Sequence, residues 1–268
     1  MARVTLLGDG ERANALGSDD WARLASVAKE LGVDDSLRVV VISGAGRSPF
    51  SAGFDMLEWV DAAPEDVDAS FEAMEQACVA IEQLPVPVIA SVRGVAAGAG
   101  CELACACDLR IIGERARIGM PIARWSILVS AAFAARLVVL VGPDTTRELL
   151  YTGRLLTGPE AVARGLASQS APERDLEKVT IELANVIAAQ PAAAVRAAKH
   201  AVNTALSPTR LAVSTPTVTD SADYAALRQQ VASYLGHPTP LARRGPGAHV
   251  DAGRCQRQRG RDRYQLKR

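Results

Sequence analysis

Two stretches of very small residues, each directly following a β-branched run, constrain this chain more than any other feature. Arg38 to Ser43 reads RVVVIS and leads into a loop, Gly44 to Asp55, that carries Ser51-Ala52-Gly53. Pro87 to Val92 reads PVPVIASV with its preceding residues and leads into Gly94-Val95-Ala96-Ala97-Gly98-Ala99-Gly100. Continuous apolar, β-branched runs of this kind are typical of strands covered on both faces. Side chains reduced to a hydrogen or a methyl allow another group to approach the backbone N–H closely. The second stretch opens into a helix through about Cys107, whose free N–H groups and positive dipole end favour negative charge. Two such turns after neighbouring strands can present one N–H each to a single oxygen, which is an oxyanion hole. Close helix–sheet packing without a ligand accounts for the same residues equally well. A nucleotide-phosphate cradle does not, because no Gly-Lys-Ser/Thr follows either turn and G-x-G-x-x-G is absent.

The remaining pattern is that of an α/β chain. Arg3 to Leu7 reads as a short first strand. Ser18 is placed to cap a helix through about Leu31, with Trp21, Leu24, Val27, Ala28 and Leu31 on one face. Pro64 stands near the start of a helix through about Leu84, and Leu109 to Ile112 is a further strand. Strand and helix alternate to this point, which implies crossover connections. Beyond Ser130 the chain reads as helical. Thr157-Gly158-Pro159-Glu160 is a capping-box start, Pro191 to Ala205 an Ala-rich helix, and Asp220 to Leu235 one more. The expected organisation is a core over residues 1–190, a helical region over 191–235 and a basic, disordered tail over 236–268.

Charge and cysteine usage narrow the setting. Residues 236–268 hold nine Lys/Arg against two Asp/Glu, a balance of +7, while the whole chain is neutral. The body is therefore mildly acidic and gives no reason to expect nucleic-acid binding. Five cysteines, odd in number and without framework spacing, fit a reducing cytoplasm. Cys101, Cys105 and Cys107 have no neighbouring His and read as small buried residues, so no metal is expected. No apolar run approaches the ~20 residues that span a bilayer.

Several of these stretches together resemble the enoyl-CoA hydratase/isomerase (crotonase) family. Phe50-Ser51-Ala52-Gly53-Phe54-Asp55 is similar to its F-x-A-G-x-D motif, and Pro87 to Asp108 resembles its second signature. Asn14-Ala15-Leu16, Tyr151-Thr152-Gly153, Glu160-Ala161 and Gly165-Leu166 match further positions in order. The resemblance implies a spiral of strand–strand–helix units with a helical C-terminal region, assembled as a homotrimer or a homohexamer. It implies an acyl-CoA thioester as substrate, CoA being part of that substrate and no separate cofactor being needed. The backbone N–H groups of Ala52 and Ala99 would be the oxyanion donors, with Ser51, Gly53, Asp55, Gly98 and Ile122 lining the substrate. Glu102, in the first turn of the helix that Ala99 opens, would be the catalytic acid–base.

One departure bears on the reaction. Hydratases of the family carry a second glutamate in a G-x-P-E stretch; here the matching residues are Gly119-Met120-Pro121-Ile122. Ile122 thus stands where a carboxylate is expected, and the glycine-rich segment that follows in relatives is replaced by Leu128-Val129-Ser130-Ala131-Ala132. Hydration of a 2-enoyl-CoA through Glu102 is the leading expectation. Double-bond isomerisation, or a degenerate member that only binds acyl-CoA, is the alternative. Asp144 and Glu148 are candidates for a substitute acid, though their helix reads as a solvated face, as do Arg196 and Lys199.

Overall fold

The computed structural model describes residues 1–7, 12–211, 222–236 and 264–267. A six-stranded sheet forms the centre, in the spatial order Gln169–Ala171, Leu109–Gly113, Val88–Val92, Val40–Gly44, Ala2–Leu6 and Tyr264–Lys267. It contains β1 (Ala2–Leu6), β2 (Val40–Gly44), β3 (Val88–Val92), β5 (Leu109–Gly113), β8 (Gln169–Ala171) and β9 (Tyr264–Lys267). The first five named strands are parallel, and only β9 runs antiparallel, on β1. A second sheet of three short strands, β4 (Val95–Ala97), β6 (Arg117–Gly119) and β7 (Leu155–Thr157), lies beside it. The chain visits the large sheet, then the small one, then a helix, as in β3-β4-α3 with α3 at Ala99–Ala106.

The β-branched runs are continuous because both faces of the large sheet are covered. Val40, Ile42, Val88, Ala90 and Ile112 face one cluster, packed with Trp21 and Leu24 of α1 (Ser18–Gly32) and Ile81 of α2 (Pro64–Glu82). Val39, Val41, Ile89 and Ile111 face the other, under Leu176 and Ala184 of α6 (Leu176–Ala188). Alternate residues of the same strand therefore serve opposite cores, as the two-residue pleat requires.

The helical half contains α4 (Ala131–Thr152), α5 (Gly158–Ala163), α7 (Ala192–Leu211) and α8 (Tyr224–Gly236) as well as α6. Ser130 caps α4 by accepting from the Phe133 N–H at 3.1 Å. Gly142, at φ 73°, interrupts that helix beside Pro143. Thr157 and Glu160 form the reciprocal capping box expected of them. Lys199 of α7 is buried, donating to the Asp108 carboxylate at 2.8 Å and the Val86 carbonyl at 3.0 Å. Arg196 reaches the Asp35 carbonyl at 3.0 Å. These two cations fasten α7 to the sheet rather than forming a solvated face.

Gly17, not Ser18, caps α1, and the Asp20 carboxylate accepts the Gly17 N–H at 2.9 Å. A Cβ at position 17 would lie 2.1 Å from Glu58 Oε1, so any larger residue there would have to displace the end of that side chain. The stretch 94–100 contains strand β4, and the region beyond Ser130 contains β7 and β8, none of which has enough residues to show a period. Tyr264–Lys267, within the tail expected to be disordered, pair with Leu6 through Arg3 of β1. The rest of the tail, 237–263 and 268, and the first residues of the helix expected from Asp220 lie outside the described residues.

Candidate active site

The two small-residue turns meet. Phe50 N–H donates to the Arg93 carbonyl at 2.9 Å, Ser51 N–H to Val95 at 3.0 Å, and Ala97 N–H to Ser51 at 3.0 Å. Residues 50–53 thereby run beside β4 as an extra short strand, with Ser51 bridged to Ala96. The approach tolerates no side chain. A Cβ on Gly100 would lie 2.2 Å from the Ser51 carbonyl oxygen. A Cβ on Gly53, whose φ is 102°, would lie 2.8 Å from the Ala97 carbonyl oxygen and 3.0 Å from the Ala99 nitrogen. Asn14 secures the turn from below: its buried Nδ2 donates to the carbonyls of Phe50 at 2.7 Å and Pro49 at 3.2 Å. This is the physical content of the Asn-Ala-Leu match, which spacing in the sequence could not supply.

The two expected oxyanion donors differ in their present partners. Ala99 is the first residue of α3, where no intrahelical acceptor exists for its N–H. Gly98 before it takes φ 54° and ψ −125°, aiming the turn into the helix. Ala52 N–H, by contrast, donates to the Ala13 carbonyl at 3.0 Å. Ala13 and Asn14 both adopt positive φ, 52° and 61°, a conformation costing roughly 1–2 kcal/mol for a residue such as Ala. An acyl oxygen at Ala52 therefore competes with a carbonyl held in a strained segment.

Glu102 lies one helical turn beyond Ala99, 3% exposed. Its Oε1 accepts from Arg136 Nη1 of α4 at 2.9 Å. Arg136 is itself 5% exposed and gathers two further carboxylates, both from α2. Glu75 takes Nη1 at 2.8 Å and Nη2 at 2.6 Å; Glu82 takes Nε at 3.0 Å and Nη2 at 3.3 Å. Burial pushes the Glu102 carboxyl well above its ordinary range; Arg136 opposes this, and the neighbouring Glu75 adds to it. Burial is the largest single influence on Arg136 and disfavours its charge, but the hydrogen bonds to Glu75 and Glu82, with the nearby Glu102, together outweigh it and hold Arg136 more firmly protonated than usual. Neither Arg136 nor Glu75 carries a sequence signal of this role. Only the regular Ser130 cap and the helical spacing of α2 hint that the two face α3.

The other expected substrate-lining residues serve the turns. Ser51 is fully buried, and its Oγ accepts the Gly53 N–H at 3.0 Å. Asp55 accepts from Leu57 N–H at 3.1 Å and from Arg12 Nη1 at 2.9 Å, capping the short 3₁₀ helix Met56–Trp59. Ile122, in the 3₁₀ helix Pro121–Trp125, is buried in the same apolar cluster as Ala99, Leu103 and Phe133. The substitute acids are elsewhere: Asp144 is exposed beside Arg147, and Glu148 is tied to Arg164 and Arg154, which hold it below the usual carboxylate range. Cys101, Cys105 and Cys107 are buried. A surface cleft at the ends of β2 and β3 is lined by Ser43, Gly44, Ser91 and Arg93, and Glu102 is not part of its lining. Among the described residues no helix is long and apolar enough to cross a membrane.

The sequence pattern of the enoyl-CoA hydratase/isomerase family matches residues 2–227. A short-chain-enoyl-CoA hydratase of Clostridium acetobutylicum is 32% identical over 200 residues, covering 75% of this chain and 77% of its own. The crystal structure of an enoyl-CoA hydratase from Bacillus anthracis superposes with a TM-score of 0.73 at 30% identity, over 88% of this chain and 87% of that one. A monofunctional enoyl-CoA isomerase from M. smegmatis superposes with a TM-score of 0.63 at 28% identity, over 78% and 92%. Hydratases and an isomerase thus share this architecture.

Proposed function

The chain belongs to the enoyl-CoA hydratase/isomerase family, and from that membership we propose that it acts on an acyl-CoA thioester, by hydration of a 2-enoyl-CoA. The observation that carries this reading is the meeting of the Ala52 and Ala99 turns with Glu102 one helical turn further on. The thioester oxygen accepts from both N–H groups, displacing the Ala13 carbonyl from the first. Glu102, as carboxylate, takes a proton from water as the oxygen of that water bonds to C3. The C2–C3 π electrons move onto the thioester oxygen, and the two N–H groups stabilise this enolate. Glu102 then returns its proton to C2. Atoms and charge balance with one carboxylate, and the reading calls on no metal or redox group. The protein acts as a soluble homotrimer or homohexamer in this reading.

Isomerisation is the second reading, favoured by the apolar Ile122 in place of a second carboxylate. Moving a proton between C4 and C2 of a 3-enoyl-CoA needs one base and the same enolate hole. The test is turnover of 2-enoyl- and 3-enoyl-CoA, each in a short and a long chain, by the natural protein and by Glu102→Gln. A loss of about 10²–10⁴-fold in kcat is expected for the variant. Unchanged turnover in Glu102→Gln refutes the role of Glu102, and acyl-CoA binding with no turnover of either isomer refutes both reactions.

A further inference from the structure

The ion cluster around Arg136 contains one guanidinium and three carboxylates, from Glu75, Glu82 and Glu102. Fully ionised, it would carry a net charge of −2 within a largely buried space, which the low polarisability of an interior strongly disfavours. One proton relieves half of that excess. The hydrogen bonds indicate where it resides. Glu82 takes Nε and Nη2, and Glu75 takes Nη1 and Nη2, so two carboxylates each occupy two nitrogens. Glu102 has one contact, on the Nη1 that Glu75 also uses. One guanidinium nitrogen therefore joins Glu75 to Glu102, with a carboxylate oxygen of each at 2.8 and 2.9 Å from it. Two like carboxylates crowded on one nitrogen in a buried cluster favour keeping one proton between them.

We propose that Glu75 is a positioning residue for Glu102, the pair sharing one proton so that Glu75 supplies from α2 the second carboxyl that Ile122 does not. The inference rests on the reading of Glu102 as the acid–base. When the shared proton lies on Glu75, Glu102 is the carboxylate that accepts a proton from water or from a substrate carbon. That proton, not the shared one, is delivered to the product carbon, and the cluster returns to its starting charge. Glu75 is partly exposed, with 32% of its side chain accessible, while Glu102 is closed off; Glu75 is thus also the group through which the pair equilibrates with solvent. The titratable and charged neighbours of the pair are Arg136 from α4, Glu82 and Cys78 from α2, and Cys101 and Cys105 from α3. Burial pushes the Cys78 thiol up, and the hydrogen bond with Cys105, followed by burial, pushes Cys101 up, so neither supplies charge near neutral pH; that same bond lowers Cys105.

The test is a carboxyl titration of the whole protein labelled with ¹³C at glutamate Cδ, followed by NMR or by the infrared C=O stretch, for the natural sequence, Glu75→Gln and Glu102→Gln. The natural protein should show one carboxyl that stays protonated above the ordinary glutamate range and is lost in Glu102→Gln. In Glu75→Gln that resonance should shift its midpoint to lower pH, because a neighbouring negative charge has gone. Where turnover is measurable, the acid limb of kcat/KM should move the same way. Glu75→Asp should restore the limb towards its natural position. A merely structural Glu75 would alter stability or the height of the profile and leave both midpoints in place, and that result overturns the proposal. Loss of activity in Glu102→Gln with an unmoved midpoint in Glu75→Gln sinks the pairing alone. Full activity of Glu102→Gln sinks the underlying reading instead.

Discussion

Arg136→Met isolates what the buried guanidinium does. The substitution keeps much of the side chain's volume and removes five N–H donors, leaving Glu82 and Glu102, 9% and 3% exposed, with no cation at 3 Å. Breaking a buried pair by removing one partner costs about 3–5 kcal/mol. For a chain of this size that corresponds to a fall in Tm of roughly 6–20 °C, at about 2–4 °C per kcal/mol. The pH dependence has a definite sign. Glu102 has a folded-state value raised above its unfolded one. Its contribution is fully present below the ordinary glutamate value and is lost as pH rises through the folded value. Arg136 counteracts that loss by stabilising the ionised form, so its removal should hurt more at pH 8 than at pH 5, where the carboxyls can take up protons instead. Urea unfolding of both proteins at the two pH values measures the difference. Adding Glu75→Gln and Glu82→Gln to Arg136→Met should recover part of the loss at pH 8, because the unpaired charges are gone. A loss below about 1 kcal/mol at pH 8, or an equal loss at both values, would refute the account of Arg136 as the counter-ion of a buried carboxylate cluster.

Two further perturbations probe the site itself. Gly53→Ala forces a methyl to within 3.0 Å of both the Ala97 carbonyl oxygen and the Ala99 nitrogen, at a φ of 102° that Ala rarely adopts. Loss of that one N–H donor should lower kcat by about 10²–10³-fold, and a steady-state assay with the preferred enoyl-CoA that finds less than a threefold change removes Ala99 from the hole. Ile122→Glu places a carboxylate where hydratases of the family have one; it should raise hydration relative to isomerisation by at least about tenfold, general acid–base groups contributing about 10²–10⁴-fold. It should also lower stability, since Ile122 is buried. An unchanged ratio of the two activities would separate Ile122 from the reaction.

How much was legible beforehand depended on the length scale of each interaction. Strands β2, β3 and β5 and helices α1 and α2 were readable because their apolar residues repeat along the chain. The three-residue strands β4, β6 and β7 were not, since they exist only by pairing with one another and with the 50–53 segment. Lys199 and Arg196 looked like a solvated helix face because their acceptors, Asp108, Val86 and Asp35, are far away in sequence. Asn14 was visible as part of a pattern, but its three carbonyl partners were not.

The two small-residue turns and Glu102 were determined by the sequence itself. Glycine at 53, 98 and 100 is a local requirement of backbone conformation and close approach, and the first turn of a helix fixes Glu102 relative to Ala99. What only the tertiary structure decided is the charge environment of that glutamate. Arg136, Glu75 and Glu82 come from two other helices, 34, 61 and 54 residues apart along the chain in their pairings with one another and with Glu102. Electrostatic interaction acts through space and grows as water is excluded, so the state of a buried carboxyl depends on which distant groups the packing brings against it.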